Sequence, residues 1–145
     1  MGTDYWPDED TNPIVDFGSI GFFYAAGTVT AGYPVKLATG TAGYIKCQNT
    51  SAAGDSIGVA LKSASSGEYV PVAIFGLVKL VADGSTTNIA TGDIVYSNGS
   101  GKVVKADSTY TNYKLFGGNY YALGIALHPS TASDDEILVL LGKIF

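Results

Sequence analysis

Residues 31–37, Ala31-Gly32-Tyr33-Pro34-Val35-Lys36-Leu37, recur sixty residues later as Thr91-Gly92-Asp93-Ile94-Val95-Tyr96-Ser97. A second stretch, Gly58-Val59-Ala60-Leu61, recurs sixty-six residues on as Gly124-Ile125-Ala126-Leu127. The growth of the offset from sixty to sixty-six indicates a six-residue insertion within the second copy. Because each copy holds the same few short strands, the sequence predicts two related β-halves, about residues 27–80 and 87–145, that share one core.

From residue 19 onward the chain reads as strands and turns. Short runs rich in Val, Ile, Thr and Tyr are interrupted by Gly, Pro, Asn and Ser, which is typical of an all-β domain. Strands are expected at residues 21–25, 35–37, 44–48, 57–61, 69–74, 78–81, 94–97, 103–106, 123–127 and 136–141. Residues 20–26 fit either a core strand or an edge strand that pairs with a neighbouring chain. Residues 137–141 lack alternation and fit a strand covered on both faces, by the core or by another subunit.

The excess negative charge lies in the first eighteen residues, which hold five of the thirteen acids and no basic residue. The other eight acids balance the eight lysines, and arginine is absent. Without a basic stripe to neutralise phosphates, the protein is not expected to bind nucleic acid. The longest apolar stretch, residues 70–82, is shorter than the ~20 residues of a spanning helix, so no membrane insertion is expected. The first residues lack the features of a secretory signal, which predicts synthesis in a cytosol.

Residues 1–18 are predicted to form an extended acidic arm, since their few apolar side chains cannot bury enough surface to fold alone. Trp and Tyr contribute strongly at protein interfaces, and a tail that only confers solubility needs no Trp6. We therefore expect the arm to bind a partner through Tyr5, Trp6, Pro7, Asp8, Glu9, Asp10, Ile14, Val15 and Phe17.

A second group of aromatic residues crowds around the insertion in the second copy. These side chains could close one end of a barrel, or form an interface for a subunit, a capsid or a sugar. The group consists of Tyr110, Tyr113, Phe116, Tyr120 and Tyr121.

No set of residues indicates catalysis. His128 is the only histidine, precedes Pro129 and has no nucleophile motif near it, so we expect it to cap a loop. Cys47 is the only cysteine and fits a small buried apolar residue. No metal-ligand spacing and no phosphate-binding glycine motif occurs. The prediction is a protein that is not an enzyme and holds neither a metal nor a cofactor.

The chain resembles the capsid decoration, or cement, proteins of tailed bacteriophages over about residues 19–145. The stretches that carry the resemblance are Gly27-Thr28-Val29-Thr30-Ala31-Gly32-Tyr33-Pro34-Val35, Ile57-Gly58-Val59-Ala60-Leu61, Val72-Ala73-Ile74-Phe75-Gly76, Thr91-Gly92-Asp93-Ile94-Val95 and Gly124-Ile125-Ala126-Leu127. The resemblance implies a small β-barrel or β-clip domain that forms a homotrimer on the outside of the virion. There it bridges subunits of the major capsid protein, with its amino-terminal arm on the shell. The alternative from another class is a carbohydrate-binding or adhesion module on a virion surface that uses the second aromatic group.

Overall fold

The computed structural model describes residues 16–40, 45–106 and 121–142. These residues form nine β-strands and no helix. The strands are β1 (Asp16–Ala25), β2 (Pro34–Ala38), β3 (Lys46–Asn49), β4 (Gly58–Ala60), β5 (Tyr69–Ala82), β6 (Ile94–Ser97), β7 (Val103–Lys105), β8 (Gly124–Ala126) and β9 (Asp135–Leu141).

Two closed rings of strands share the long strand β5. The first ring runs β1-β3-β2-β4-β5 and closes through the antiparallel pairing of β1 with β5. The second runs β5-β7-β6-β8-β9 and closes through the antiparallel pairing of β5 with β9. Strands β1 and β9 pair with opposite edges of β5, because Leu77 pairs with both Asp16 and Leu140. The prediction of an all-β barrel domain with an internal repeat is confirmed.

The internal repeat also includes isolated β-bridges outside the named strands. The isolated bridge between Val29 and Ala64 returns as the bridge between Ile89 and Ser130. The extra length of the second copy lies between β7 and β8, where residues 106–123 stand in place of residues 50–57 between β3 and β4. The rings are therefore two copies of one unit, with β5 acting as the last strand of the first and the first strand of the second.

Strand β5 corrects the predicted strand list. The sequence predicts separate strands at 69–74 and 78–81, but one strand of fourteen residues spans both. Gly76 adopts a φ of 120° within it, a conformation that glycine accepts at little cost. The strand continues through this point because β1 pairs with it up to Leu77 and β9 pairs with it from Gly76 onward.

Strand β1 begins at Asp16, five residues before the predicted start at Gly21. Its pairing with β5 extends from Tyr24, opposite Tyr69, to Asp16, opposite Leu77, with irregular register around Ser19. The last three residues of the predicted arm, 16–18, thus lie in a strand of the domain.

The buried apolar residues form two clusters rather than the single shared core that the sequence predicts. Phe23, Val35 and Val72 belong to the first cluster, and Leu80 and Ile137 to the second. The second cluster also includes Val59 of β4 and Ala73 of β5, so it draws on strands of both rings. The non-alternating run 137–141 lies between β5 and β8, and its buried side chains are covered within the chain.

Candidate interaction surface

The predicted arm falls mostly outside the described residues. This applies to Tyr5, Trp6, Pro7, Asp8, Glu9, Asp10, Ile14 and Val15. Phe17 lies within β1. The binding role of the arm therefore stays a prediction, although the strand that follows it has a defined place in the fold.

Of the second aromatic group, Tyr121 alone is described; Tyr110, Tyr113, Phe116 and Tyr120 lie outside the described residues. The backbone N–H of Tyr121 donates to the carbonyl of Gly54 at 2.7 Å, and the N–H of Gly54 donates to the carbonyl of Ser97, also at 2.7 Å. The loop before β4 thus joins the two rings. The subunit, capsid and sugar alternatives for this group stay predictions.

His128 and Cys47 both have contacts that fit a structural role. Nδ1 of His128 accepts a hydrogen bond from the backbone N–H of Leu138 at 3.2 Å, which ties the loop after β8 to β9. Cys47 is fully buried in the first cluster, and burial raises the pKa of its thiol. A buried, protonated thiol is a poor nucleophile.

The carboxylate of Asp135 stabilises the loop that precedes β9. The N–H groups of Ala132 and Thr131 and the hydroxyl of Ser130 donate to the carboxylate of Asp135 at 3.0 Å each. These hydrogen bonds lower the pKa of Asp135, with the Ala132 bond contributing most. No three His, Cys, Asp or Glu side chains within the described ranges gather where they could hold a metal ion. No helix in the same part of the chain has the length and apolar character to cross a membrane.

The surface that stands out is the outer face of the β1–β5 pair. Opposite residues of an antiparallel pair share a face of the sheet, and Phe22 lies opposite Pro71 and Tyr24 opposite Tyr69. Phe22 is 69% exposed and Tyr69 59%. We call this surface the β1 aromatic face; it consists of Ile20, Phe22, Tyr24, Tyr69 and Pro71.

Two aromatic rings are ordered against each other on this face. The rings of Tyr24 and Tyr69 stack with their centroids 4.2 Å apart and their planes at 30°. Stacked aromatic pairs add about 0.5–1.5 kcal/mol beyond their burial. Since Ile20 is also 47% exposed, the face presents contiguous apolar surface, which on soluble proteins marks a contact site.

Next to this face, most of one edge of β1 is left unpaired by the described strands. Strand β3 pairs with β1 at Tyr24 and Ala25, on the edge opposite to β5. From Asp16 to Phe23, no described strand pairs with this outer edge. An open edge presents unpaired N–H and C=O groups that can accept another strand.

Lys46 extends the same face with a positive charge. It lies opposite Tyr24 in the parallel β1–β3 pairing and is half-buried. Four other described lysines make ion pairs: Lys36 with Asp55, Lys79 with Glu136, Lys102 with Asp134 and Lys105 with Asp93. Lys46, which is half-buried, and Lys62, which is exposed, make no ion pair with a described carboxylate.

This face is not among the contact residues predicted from the sequence. In β1, Phe23 and Ala25 belong to the first buried cluster, while Ile20 and Phe22 are exposed; pairing of this strand with a neighbouring chain stays a prediction. The alternation of these four residues was a usable signal. The positions of Tyr69 and Lys46 were not readable, because they depend on the pairing register of strands far apart in sequence.

Comparison with known proteins gives a family and a fold. A family model described as phage cement protein matches residues 19–141. The described fold is similar to the crystal structure of the N base of head fiber gp8.5 in bacteriophage phi29, with a TM-score of 0.57 and 16% sequence identity. This alignment covers 86% of the present chain and 94% of that chain. A search of curated proteins returns no match.

Proposed function

Because this chain belongs to the phage cement protein family, we propose that it decorates the outer surface of a phage capsid and stabilises the assembled shell. Membership of this family makes it a structural protein associated with the phage capsid. The observation that carries the proposal is the family match over residues 19–141, which covers both strand rings.

The arm provides the first contact in this proposal. Residues 1–15 add main-chain hydrogen bonds to an exposed strand of the major capsid protein, and Tyr5, Trp6, Ile14 and Val15 fill shallow apolar pockets. In support, these residues lead directly into β1, whose outer edge is unpaired by described strands from Asp16 to Phe23. The arm therefore joins the domain at an edge suited to strand pairing.

Three linked copies would raise the strength of attachment. A homotrimer carries three arms, and once the first arm is bound, the second and third bind as intramolecular events with effective concentrations in the mM range for short flexible linkers. Arms of one trimer that bind different capsid subunits would then bridge those subunits. A ligand that binds only the assembled shell stabilises that shell by mass action.

The proposed mechanism requires no chemistry beyond contact. The described surroundings of His128, whose Nδ1 accepts a backbone hydrogen bond, and of the buried Cys47 thiol support a structural role for both residues. The protein in this proposal is not an enzyme.

The test measures mass in solution and then co-sedimentation with expanded empty heads. The full chain should sediment as a trimer and bind the heads at saturable occupancy. Deletion of residues 1–15 should leave the domain folded and abolish binding; the deletion stops at residue 15 because β1 begins at Asp16. Wild-type occupancy by the deleted protein would refute the role of the arm, and absence of the full chain from heads would refute the function.

A further inference from the structure

We infer that the β1 aromatic face, together with the open edge of β1, is the surface of the folded domain that receives an extended, acid-bearing segment of the capsid protein. The inference rests on the proposed function and adds a second contact to it, distinct from the arm. No residue of the β1 aromatic face belongs to the contact groups predicted from sequence, although Phe17 of the predicted arm lies on the adjoining edge of β1.

The open edge supplies main-chain hydrogen bonds. Pairing of β1 with β5 uses one edge, and among the described strands the other edge is paired only with β3, at Tyr24 and Ala25. An extended segment can add along the outer edge from Asp16 to Phe23. The pairing on the β5 side holds β1 in place, so the partner strand meets a preformed template.

The aromatic face supplies side-chain contact beside that edge. Phe22, at 69% exposure, and Tyr69, at 59%, project outward, and the 4.2 Å stack of Tyr24 on Tyr69 holds the latter ring in position. Ordered aromatic side chains lose little conformational entropy on binding, and such residues dominate the energetics of interfaces.

Lys46 favours a bound segment that carries a negative charge. It is half-buried beside Tyr24 and makes no ion pair with a described carboxylate, unlike the lysines at positions 36, 79, 102 and 105. Lys62 also makes no such pair, but its side chain is exposed to solvent. A partner that brings an Asp or Glu opposite Lys46 gives this charge a counterion. Electrostatic complementarity of this kind fixes register and partner choice.

The arm determines which partner reaches the face. Residues 1–15 lead into Asp16, and a fully extended segment of that length spans at most about 50 Å. A capsid subunit held by the arm therefore stays within that distance of the β1 edge, at a high effective concentration. The capsid protein is thus the partner that this surface meets first.

The experiment uses the full chain and compares Phe22→Ser and Lys46→Glu with the control Leu37→Ser. Leu37 is also exposed, at 56%, but it lies opposite Cys47 in the β2–β3 pair, on the other side of the sheet from Lys46. Phe22→Ser and Lys46→Glu should each weaken co-sedimentation with expanded empty heads about ten-fold or more. The control should bind as wild type does, and the mass in solution should not change.

The following outcomes would overturn the inference. Wild-type binding by Phe22→Ser, while deletion of residues 1–15 abolishes binding, would leave the proposed function intact and remove this second contact. A change of mass in solution on Phe22→Ser would assign the face to a second copy of this chain. Faster hydrogen exchange at residues 20–24 of the free protein after the deletion would assign it to the chain's own arm. Failure of both the deletion and Phe22→Ser to change binding would remove both contacts, and absence of the full chain from the heads would overturn the proposed function as well.

Discussion

Gly58 and Gly124 hold equivalent positions in the two rings, each beneath a backbone carbonyl of the neighbouring strand. A Cβ on Gly58 would lie 2.4 Å from the carbonyl oxygen of Ala73, and a Cβ on Gly124 would lie 2.3 Å from that of Leu140. Both distances are far below van der Waals contact with an atom that cannot rotate away. The close approach of β4 to β5, and of β8 to β9, therefore requires glycine in both copies.

Alanine at either glycine should destabilise the domain. Overpacking of this kind costs about 1–3 kcal/mol, so Gly58→Ala and Gly124→Ala should each lower the free energy of unfolding in urea by that amount or more. The control is Gly27→Ala, since nothing lies within 4 Å of a Cβ at that position. Equal midpoints for all three variants would contradict the close approach.

The contact between the two rings should depend on a buried hydroxyl pair. The Ser97 hydroxyl donates to Oγ1 of Thr50 at 3.1 Å, and both residues are buried. Ser97→Ala leaves a buried polar atom without this partner, which costs about 1–3 kcal/mol.

A double-mutant cycle on this pair separates the contact from other effects. Adding Thr50→Val to Ser97→Ala removes both polar groups, so the double variant should be more stable than the sum of the single changes predicts. Ser100→Ala, at an exposed position of the next turn, is the control and should stay within about 0.5 kcal/mol of wild type. Strict additivity would show that the two hydroxyls do not interact.

Stability should fall at low pH in part through Asp135. Hydrogen bonds from Ala132, Thr131 and Ser130 lower the pKa of this carboxyl in the folded protein, below its unfolded value of about 3.9. Its contribution to stability is therefore complete above about pH 4 and is lost as the pH falls through the lower folded-state pKa. The difference in Tm between wild type and Asp135→Asn should be largest near neutral pH and should shrink toward pH ~2. A constant difference over that range would contradict this assignment.

The Cys47 thiol should react only after unfolding. It is fully buried, and burial raises its pKa, so the native protein presents neither an accessible nor an ionised sulfur. Ellman's reagent should give no signal under native conditions and one equivalent in denaturant. Rapid labelling of the native protein would place the thiol at the surface.

Trp6 should carry much of the binding energy of the arm. Truncation of an interface Trp commonly costs 2 kcal/mol or more, so Trp6→Ala should weaken binding to expanded heads about thirty-fold. Thr11→Ala, within the same segment, is the matched control. Unchanged affinity of Trp6→Ala would favour a tail that only confers solubility.

The strand positions were largely readable from local patterns. β6, Ile94–Ser97, begins and ends where the sequence predicts, because its apolar residues are bounded by turn-forming glycines. β5 was predicted in two pieces, since Gly76 resembles a chain break. Its continuity depends on β1 and β9, which pair with it from opposite edges, and no local pattern contains that information.

The candidate site was less predictable for the same reason. The residues selected from sequence follow composition: the acidic aromatic arm and the tyrosines around the insertion. The β1 aromatic face combines Phe22 with Tyr69, and Lys46 extends it. Tyr69 and Lys46 are 47 and 24 residues away from Phe22 along the chain. These residues come together because of the pairing register of β1 with β5 and with β3. That register is set only when the strands pair.

By itself the sequence determined the β class, the duplication and the neutral charge of the domain, since alternation, repeated stretches and composition are local or countable properties. Only the tertiary structure decided that one strand serves two rings, that the buried apolar residues form two clusters and that Tyr24 stacks on Tyr69. The physical reason is that ring closure and cross-strand contact arise from hydrogen bonds between distant segments, whose energies add only once the whole sheet has formed.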